Sequence, residues 1–405
     1  MRDHVLIVGA GQAAAAFIAT LRMLAPSRPI TLVGDEPLLP YRRPPLSKAW
    51  LEEEFSSEAL LIRPPQWYEG IDLRLGRRVE EIDRRDGRVT LSNGDRIAYD
   101  QIFLSTGSSA RRLEAELGGE LAGVYTLRSA KDAQRLKAEI KPGRRLLVLG
   151  GGYVGLEVAA AARKQGMSVL LIEAASRVLS RVASAATAEH LAALHRARGV
   201  EIREGVALLA LLGPEHVRRA VLSDGTEHEI DVVVVGIGGV ANDEVASAAG
   251  LDTANGIIVN ASCRTSDPRI MAAGDCALFP LSGRLSRLES VQNANDQGET
   301  AAACLAGEER LYKPVPWFWS DQFETKLQIV GLGRDHDTVV VRPGQREGTQ
   351  SIWYFRGGQL LAVDAINDPS SYMIGRKLLA AGVSPDVNDV REPAFSLATL
   401  LPRRR

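Results

Sequence analysis

The chain has 405 residues, more than one compact core usually supports, which points to two or three domains. Its 49 Lys and Arg nearly balance 50 Asp and Glu, and a net charge of −1 excludes a global pull towards nucleic acid or membrane. No apolar run approaches bilayer length and the N-terminus lacks a secretory pattern, so the expected compartment is the cytoplasm. Cys263, Cys276 and Cys304 lie far apart without C-x-x-C or metal-ligand spacing, so they read as buried thiols and no metal site is expected.

Residues 4–8 are predicted to form a strand running into Gly9-Ala10-Gly11-Gln12-Ala13-Ala14. An alanine-rich helix to about residue 24 and a β-rich run over 29–33 follow. Runs at 89–91 and 102–104 flank the turn Ser92-Asn93-Gly94-Asp95 and read as an antiparallel hairpin. About 140 residues on, the βαβ pattern returns: a strand over 146–149, Gly150-Gly151-Gly152-Tyr153-Val154-Gly155, a helix to about 165 and a strand over 168–173. Runs at 217–222 and 232–235 around Ser223-Asp224-Gly225 repeat the hairpin pattern, and a strand over 270–273 ends at Gly274-Asp275. After Lys313-Pro314-Val315-Pro316, the residues Trp317, Phe318, Trp319 and Phe323 cluster. β-rich runs at 328–330, 338–341, 351–355 and 359–363 and a helix over 370–381 then predict a third domain of α+β type. The tail Arg403-Arg404-Arg405 reads as a solvated end.

A glycine-rich turn between strand and helix lets backbone approach a pyrophosphate, with the helix N-terminus supplying aligned N–H groups. Gly9, Gly11 and Ala14 make the first such turn; Gly150, Gly152 and Gly155 make the second, where Tyr153 and Val154 open the helix. Glu173 ends the next strand 21 residues after Gly152, where a carboxylate accepts from ribose hydroxyls and repels a 2′-phosphate. NADH is therefore expected over NADPH, a preference that Arg177 or Arg181 would weaken if folded onto the ribose. In the first copy the aligned position is Gly34, and Asp35 is the better candidate than Glu36. Ala14 in place of a third glycine implies slightly looser helix–strand packing. Ser105-Thr106-Gly107 and Gly236-Ile237-Gly238-Gly239 are matching returns from the two units. Asp275 stands at the C-terminal end of a strand, as a ligand to a ribityl chain or as a plain N-cap.

Gly9-Ala-Gly-Gln-Ala, Val33-Gly-Asp-Glu-Pro, Tyr41-Arg-Arg-Pro-Pro-Leu-Ser-Lys48, Gly150-Gly-Gly-Tyr-Val-Gly-Leu-Glu157, Ala273-Gly-Asp275 and Pro316-Trp-Phe-Trp-Ser-Asp321 occur in that order. The set resembles the oxygenase-coupled NADH-dependent ferredoxin reductases, from residue 3 to nearly the C-terminus. The resemblance implies an α/β fold with two Rossmann-like dinucleotide-binding domains in a glutathione reductase-like arrangement, plus a C-terminal α+β domain. FAD would bind residues 1–108 and 243–315, NADH would bind residues 109–242, and residues 316–405 would lie beside the flavin.

It further implies electron flow from NADH through FAD to a small acidic [2Fe–2S] ferredoxin serving a cytochrome P450 or Rieske-type oxygenase. Ala13, Asp35, Lys48, Val79, Arg128, Asp275 and Val291 become expected FAD contacts. Lys48 would lie near the flavin N5 edge, paired with Glu157, and Trp319, with Trp317, would either stand between flavin and ferredoxin or pack a domain interface. Gly239-Val240-Ala241-Asn242 departs from the valine- and proline-containing turn usual in the family. Lys326, Arg376 and Lys377 are candidates for a basic docking patch. The chain is expected to be a monomer or weak dimer. Disulfide reductases and peroxide- or oxygen-reducing relatives need a cysteine near the first βαβ unit, and none precedes Cys263. Rubredoxin reductase, or an apoptosis-inducing-factor-like protein responding to NADH, are the alternatives.

Overall fold

Val5–Val8 and Arg145–Leu149 are short apolar strands, each central in a five-stranded parallel sheet. The computed structural model describes residues 3–52 and 56–401, so the tail at 403–405 lies outside the described residues. Two compact units emerge. The first comprises Met1–Arg43, Ser56–Ser109 and Gly239–Pro314. Its parallel sheet runs Ile270–Ala272, Gln101–Leu104, Val5–Val8, Ile30–Gly34, Asp72–Leu75. The Phe17 and Phe103 rings stack at 4.0 Å in its core, joining the helix Gln12–Leu24 to the sheet. A Cβ on Gly298 would come 2.5 Å from the Ala13 carbonyl oxygen, so the helix Val291–Leu305 approaches the first helix at a distance only glycine permits.

The second unit comprises Pro44–Phe55, Ala110–Gly238 and Val315–Arg405. Its parallel sheet runs Val200–Glu204, Ser168–Glu173, Arg145–Leu149, Val232–Val235, Val124–Thr126. A separate antiparallel sheet runs Trp317–Gln322, Thr325–Gly331, Gln359–Ile366, Gln350–Arg356, Thr338–Pro343. The helix Pro369–Ala381 covers it through Tyr372 and Leu378, which share a core with Val330 and Val363. Pro44–Phe55 belongs here because Leu51 enters the core of this unit and Glu52 receives Lys164 Nζ at 3.0 Å.

Both antiparallel hairpins differ from expectation. Arg88–Leu91 pairs with Val79–Asp83 and Arg96–Ala98, while Gln101–Leu104 joins the parallel sheet. Likewise Arg219–Leu222 pairs with Leu208–Leu212 and Glu227–Glu229, while Val232–Val235 is parallel. The physical reason is burial on both faces: Ile-Phe-Leu and Val-Val-Val-Val carry no polar alternation, the mark of a covered parallel strand. Trp317–Gln322, read only as an aromatic cluster, is a full edge strand. Among the described residues no helix is long and apolar enough to cross a membrane.

The helix Ala185–Ala197 meets the antiparallel sheet through polar contacts. Thr187 donates to Asp364 Oδ2 at 2.7 Å, Gln350 Nε2 lies 3.1 Å from His190 Nδ1, and His195 Nε2 lies 2.9 Å from Gln322 Oε1. Burial lowers His195 from its ordinary 6.5 to about 4 and raises Asp364 to about 6, although Tyr354 and Thr187 donate to it. These titrations act in opposite directions. Neutral His195 contributes stability above pH 6.5 that is lost towards pH 4, whereas Asp364 contributes stability at low pH that is lost as pH rises through about 6. Comparing wild type with His195→Gln isolates the first. The melting temperature of wild type should fall relative to the variant between about pH 6.5 and pH 4, with a constant difference above pH 7; a flat difference throughout would contradict the buried neutral imidazole.

Candidate functional site

In each glycine turn the backbone, rather than a side chain, dictates the residue. Gly9 and Gly150 hold φ of +106° and +99°, and an added Cβ would come 2.2 Å from Ser105 O and 2.5 Å from Gly236 O. Gly11 and Gly152, the N-caps of the following helices, have nothing within 4 Å of such a Cβ, so that side of each turn is open. The third position differs. A Cβ on Gly155 would lie 2.1 Å from Gly150 O, whereas Ala14 buries its methyl in the equivalent place.

Six described helices have ten or more residues. Four are capped by a side chain: Ser129, Ser184, Ser290 and Asp368 each accept from a first-turn N–H. The two behind the glycine turns, Gln12–Leu24 and Tyr153–Lys164, have no side-chain cap and no acid in the first turn. Their N–H groups and dipole ends are left for an anion. This is the cradle a dinucleotide pyrophosphate requires, and it occurs twice.

Within the first unit several candidates gather. A Cβ on Gly274 would touch the Ala13 and Ala294 methyls, so Gly274-Asp275 lies against the first turn and the start of Val291–Leu305, the helix that Val291 opens. Gln297 Oε1 accepts from Gly274 N at 2.8 Å, and Ser108 donates to Asp275 Oδ2 at 3.2 Å. Thr106 donates to Asn242 O, and Asn242 Nδ2 donates to Thr106 O at 2.8 Å, with Asn242 N bonded to Gly107 O at 3.0 Å. Asn242, in the turn that departs from the family pattern, therefore pins the first return. Asp35 is exposed, whereas Glu36 accepts from Tyr41 at 2.8 Å and pairs with Arg43 at 2.8 Å. Val79 is buried in the adjoining core.

Within the second unit Glu173 accepts from Gly151 N at 2.7 Å and Ala175 N at 2.8 Å, one per oxygen. Each oxygen keeps a lone pair, so the carboxylate braces the turn and still offers acceptors at the strand end. Arg177 donates to the carbonyls of Val178, Ser180, Ala183 and Ser184, which commits its guanidinium to the loop. Arg181 is exposed near Gly238, which holds φ of +107°. Val154 is exposed at the head of its helix, and Arg128 lies just before the Ser129 cap of Ala130–Glu139.

Lys48 and Glu157 come together as expected, at 2.8 Å, with Glu157 only 4% exposed. Ser320 donates to the same oxygen at 2.6 Å and Ser47 donates to the other. Neither serine carries a signal of its own, although Ser47 lies in the segment Tyr41–Lys48 and Ser320 in Pro316–Asp321. Alternation along Trp317–Gln322 separates its residues: Phe318, Ser320 and Gln322 face Tyr153, Glu157 and His195. Trp317 and Trp319 project the other way, their rings 5.6 Å apart, with Arg376 5.9 Å from the Trp317 ring. All three cysteines are buried and free, and burial pushes the Cys263 and Cys276 thiols up. Among the described residues no cluster is placed to hold a metal.

A family model described as pyridine nucleotide-disulphide oxidoreductase matches residues 3–298, and one described as reductase C-terminal matches residues 317–401. Rhodocoxin reductase of Rhodococcus erythropolis is 41% identical over 406 residues, covering 99% of this chain and 95% of its own. The crystal structure of the ferredoxin reductase for the CYP199A2 system of Rhodopseudomonas palustris has a TM-score of 0.96 at 38% identity, covering 99% of this chain and all of that one. Putidaredoxin reductase in its covalent complex with putidaredoxin gives 0.94 at 37% identity, covering 98% of each.

The unequal third positions yield a direct test. Gly155→Ala should cost about 2 kcal/mol or more, because its methyl meets backbone, and should weaken nicotinamide dinucleotide binding. Ala14→Gly should change melting temperature and flavin retention little; equal effects at both positions would contradict the difference between the turns.

Proposed function

The chain belongs to the pyridine nucleotide-disulphide oxidoreductase family and, within it, to the ferredoxin reductases, and from that membership we propose that it passes electrons from NADH through FAD to a [2Fe–2S] ferredoxin. The ferredoxin would serve a cytochrome P450 or Rieske-type oxygenase. The observation that carries this reading is the pair of long helices with uncapped N-termini behind open glycine turns.

The first turn is assigned to FAD, through Gly9, Gly11, Ala13, Ala14, Asp35, Val79, Thr106, Gly107, Asp275 and Val291. Lys48, Arg128 and Trp319 carry over as further FAD contacts on the family resemblance. The second turn is assigned to NADH, through Gly150, Gly152, Tyr153, Val154, Gly155, Glu173 and Gly238. Glu173 and the committed guanidinium of Arg177 favour NADH over NADPH.

A flavin bound here accepts an electron pair and releases electrons singly, which a nicotinamide does not do readily. Lys48 then supplies fixed positive charge where negative charge develops, and Glu157 holds the ammonium in place. The residues Ser47 and Ser320 keep Glu157 from rotating. Buried, unpaired thiols argue against disulfide chemistry. Exposed Arg376 and Lys377 on one helix beside Trp317 offer basic charge to an acidic ferredoxin.

Cytochrome c reduction by the flavin-loaded protein, with NADH or NADPH and a panel of ferredoxins and rubredoxins, tests the assignment. At least one [2Fe–2S] ferredoxin should raise the rate with NADH preferred; stimulation by rubredoxin alone, or by no iron–sulfur protein, would contradict it. Glu173→Ala should raise the NADH dissociation constant about 10-fold and narrow the NADH/NADPH ratio, the loss of roughly one charge-assisted hydrogen bond. Arg376→Glu with Lys377→Glu should raise KM for ferredoxin and leave flavin reduction by NADH unchanged.

A further inference from the structure

The Lys48–Glu157 pair is one end of a longer buried chain. Glu157 Oε1 takes Lys48 at 2.8 Å and the Ser320 hydroxyl at 2.6 Å. Gln322 Nε2 lies 3.1 Å from Ser320 Oγ, and Gln322 Oε1 lies 2.9 Å from His195 Nε2. Ser320, Gln322 and His195 are at most 1% exposed, so no solvent intervenes.

The sense of this chain follows from donor inventory. A carboxylate paired with an ammonium only accepts, so Ser320 gives it its single proton. Ser320 Oγ must then accept from the Gln322 amide NH2, which turns the amide oxygen to His195. His195 must donate from Nε2. Burial keeps the imidazole neutral, with its pKa near 4, so it has one N–H, and Nδ1 is the bare nitrogen. The buried Nδ1 has no partner, so a proton placed there would be an orphaned donor, which the Nε2 assignment avoids.

His195 also holds the turn beyond Gln322. Gln322 pairs with Thr325 across the two-residue turn Phe323-Glu324. Phe323 holds φ of +53°, a conformation a bulky side chain rarely adopts. The His195 ring meets Phe323 edge-on at 5.0 Å, and Arg198, one turn on, forms an ion pair with Glu324. The last turn of Ala185–Ala197 thus clamps both the strand end and its hairpin.

We infer that His195 and Gln322 are positioning residues that hold the Ser320 hydroxyl on Glu157, and through it fix the Lys48 ammonium. The consequence for catalysis rests on the role assigned to Lys48 above; the polarity of the chain does not.

The test uses the flavin-loaded protein with 15N-labelled histidine at pH 7. His195 should show the Nε2-protonated tautomer, and Glu157→Gln, which can donate to Ser320, should perturb its signals. An Nδ1-protonated ring, or signals indifferent to that substitution, would overturn the chain. Flavin reduction by NADH is followed in parallel by stopped flow. His195→Gln, whose amide donates from a position like Nε2, should stay within about 2-fold of wild type. His195→Leu should be slowed about 10-fold with NADH affinity retained, the size of effect a displaced charge produces. Leu and Gln variants equal in rate would overturn the positioning role even if the tautomer is as inferred. Ser320→Ala, which cuts the chain nearer Glu157, should match His195→Leu; a wild-type rate there also overturns the role. Failure of every ferredoxin to stimulate the wild-type protein would refute the proposed function and leave the tautomer result standing.

Discussion

A buried carboxylate dictates the construction around it. Glu157, 4% exposed, must be met by donors, because a buried carboxylate without them opposes folding. Carried on the helix Tyr153–Lys164, it draws its partners from two distant stretches of chain: Ser47 and Lys48, and Ser320 of the antiparallel sheet. Pro44–Phe55 and Val315–Arg405 both group with the unit that holds Glu157. Leu51 and the Glu52–Lys164 pair secure the first of these segments, and the contacts of Ala185–Ala197 secure the second.

The two glycine turns serve the same physical purpose with different tolerances. Both need positive φ at the first glycine and open space at the second. Only the later turn brings its helix close enough to exclude a methyl at the third position. Leaving both helix N-termini uncapped forgoes a stabilising hydrogen bond at each, of order 1 kcal/mol, so the omission at these two alone among the described long helices points to a ligand that supplies the missing acceptors.

Much of this was legible in the sequence because it is encoded locally. Gly9, Gly11, Gly150 and Gly152 report backbone needs within a few residues, and Glu173 is in register with its turn. The polarity of strands was not legible: Gln101–Leu104 and Val232–Val235 are buried on both faces, and neighbouring turn residues suggested hairpins. Asn242, Gln322 and His195 were illegible for another reason. Their roles depend on partners 136, 127 and 127 residues away, respectively, and a lone polar residue carries no record of such a partner. The alternation Phe318, Ser320, Gln322 was a signal available within one segment, masked by the larger tryptophans between them.

The central claim is that Lys48 and Glu157 act as one unit in electron entry. A double-mutant cycle on the stopped-flow rate constant for flavin reduction by NADH addresses it, with Lys48→Met, Glu157→Gln and the pair. The account expects the double variant to be scarcely slower than the worse single variant, because either change already dissolves the ion pair. Two separate losses that multiply in the double variant would contradict it.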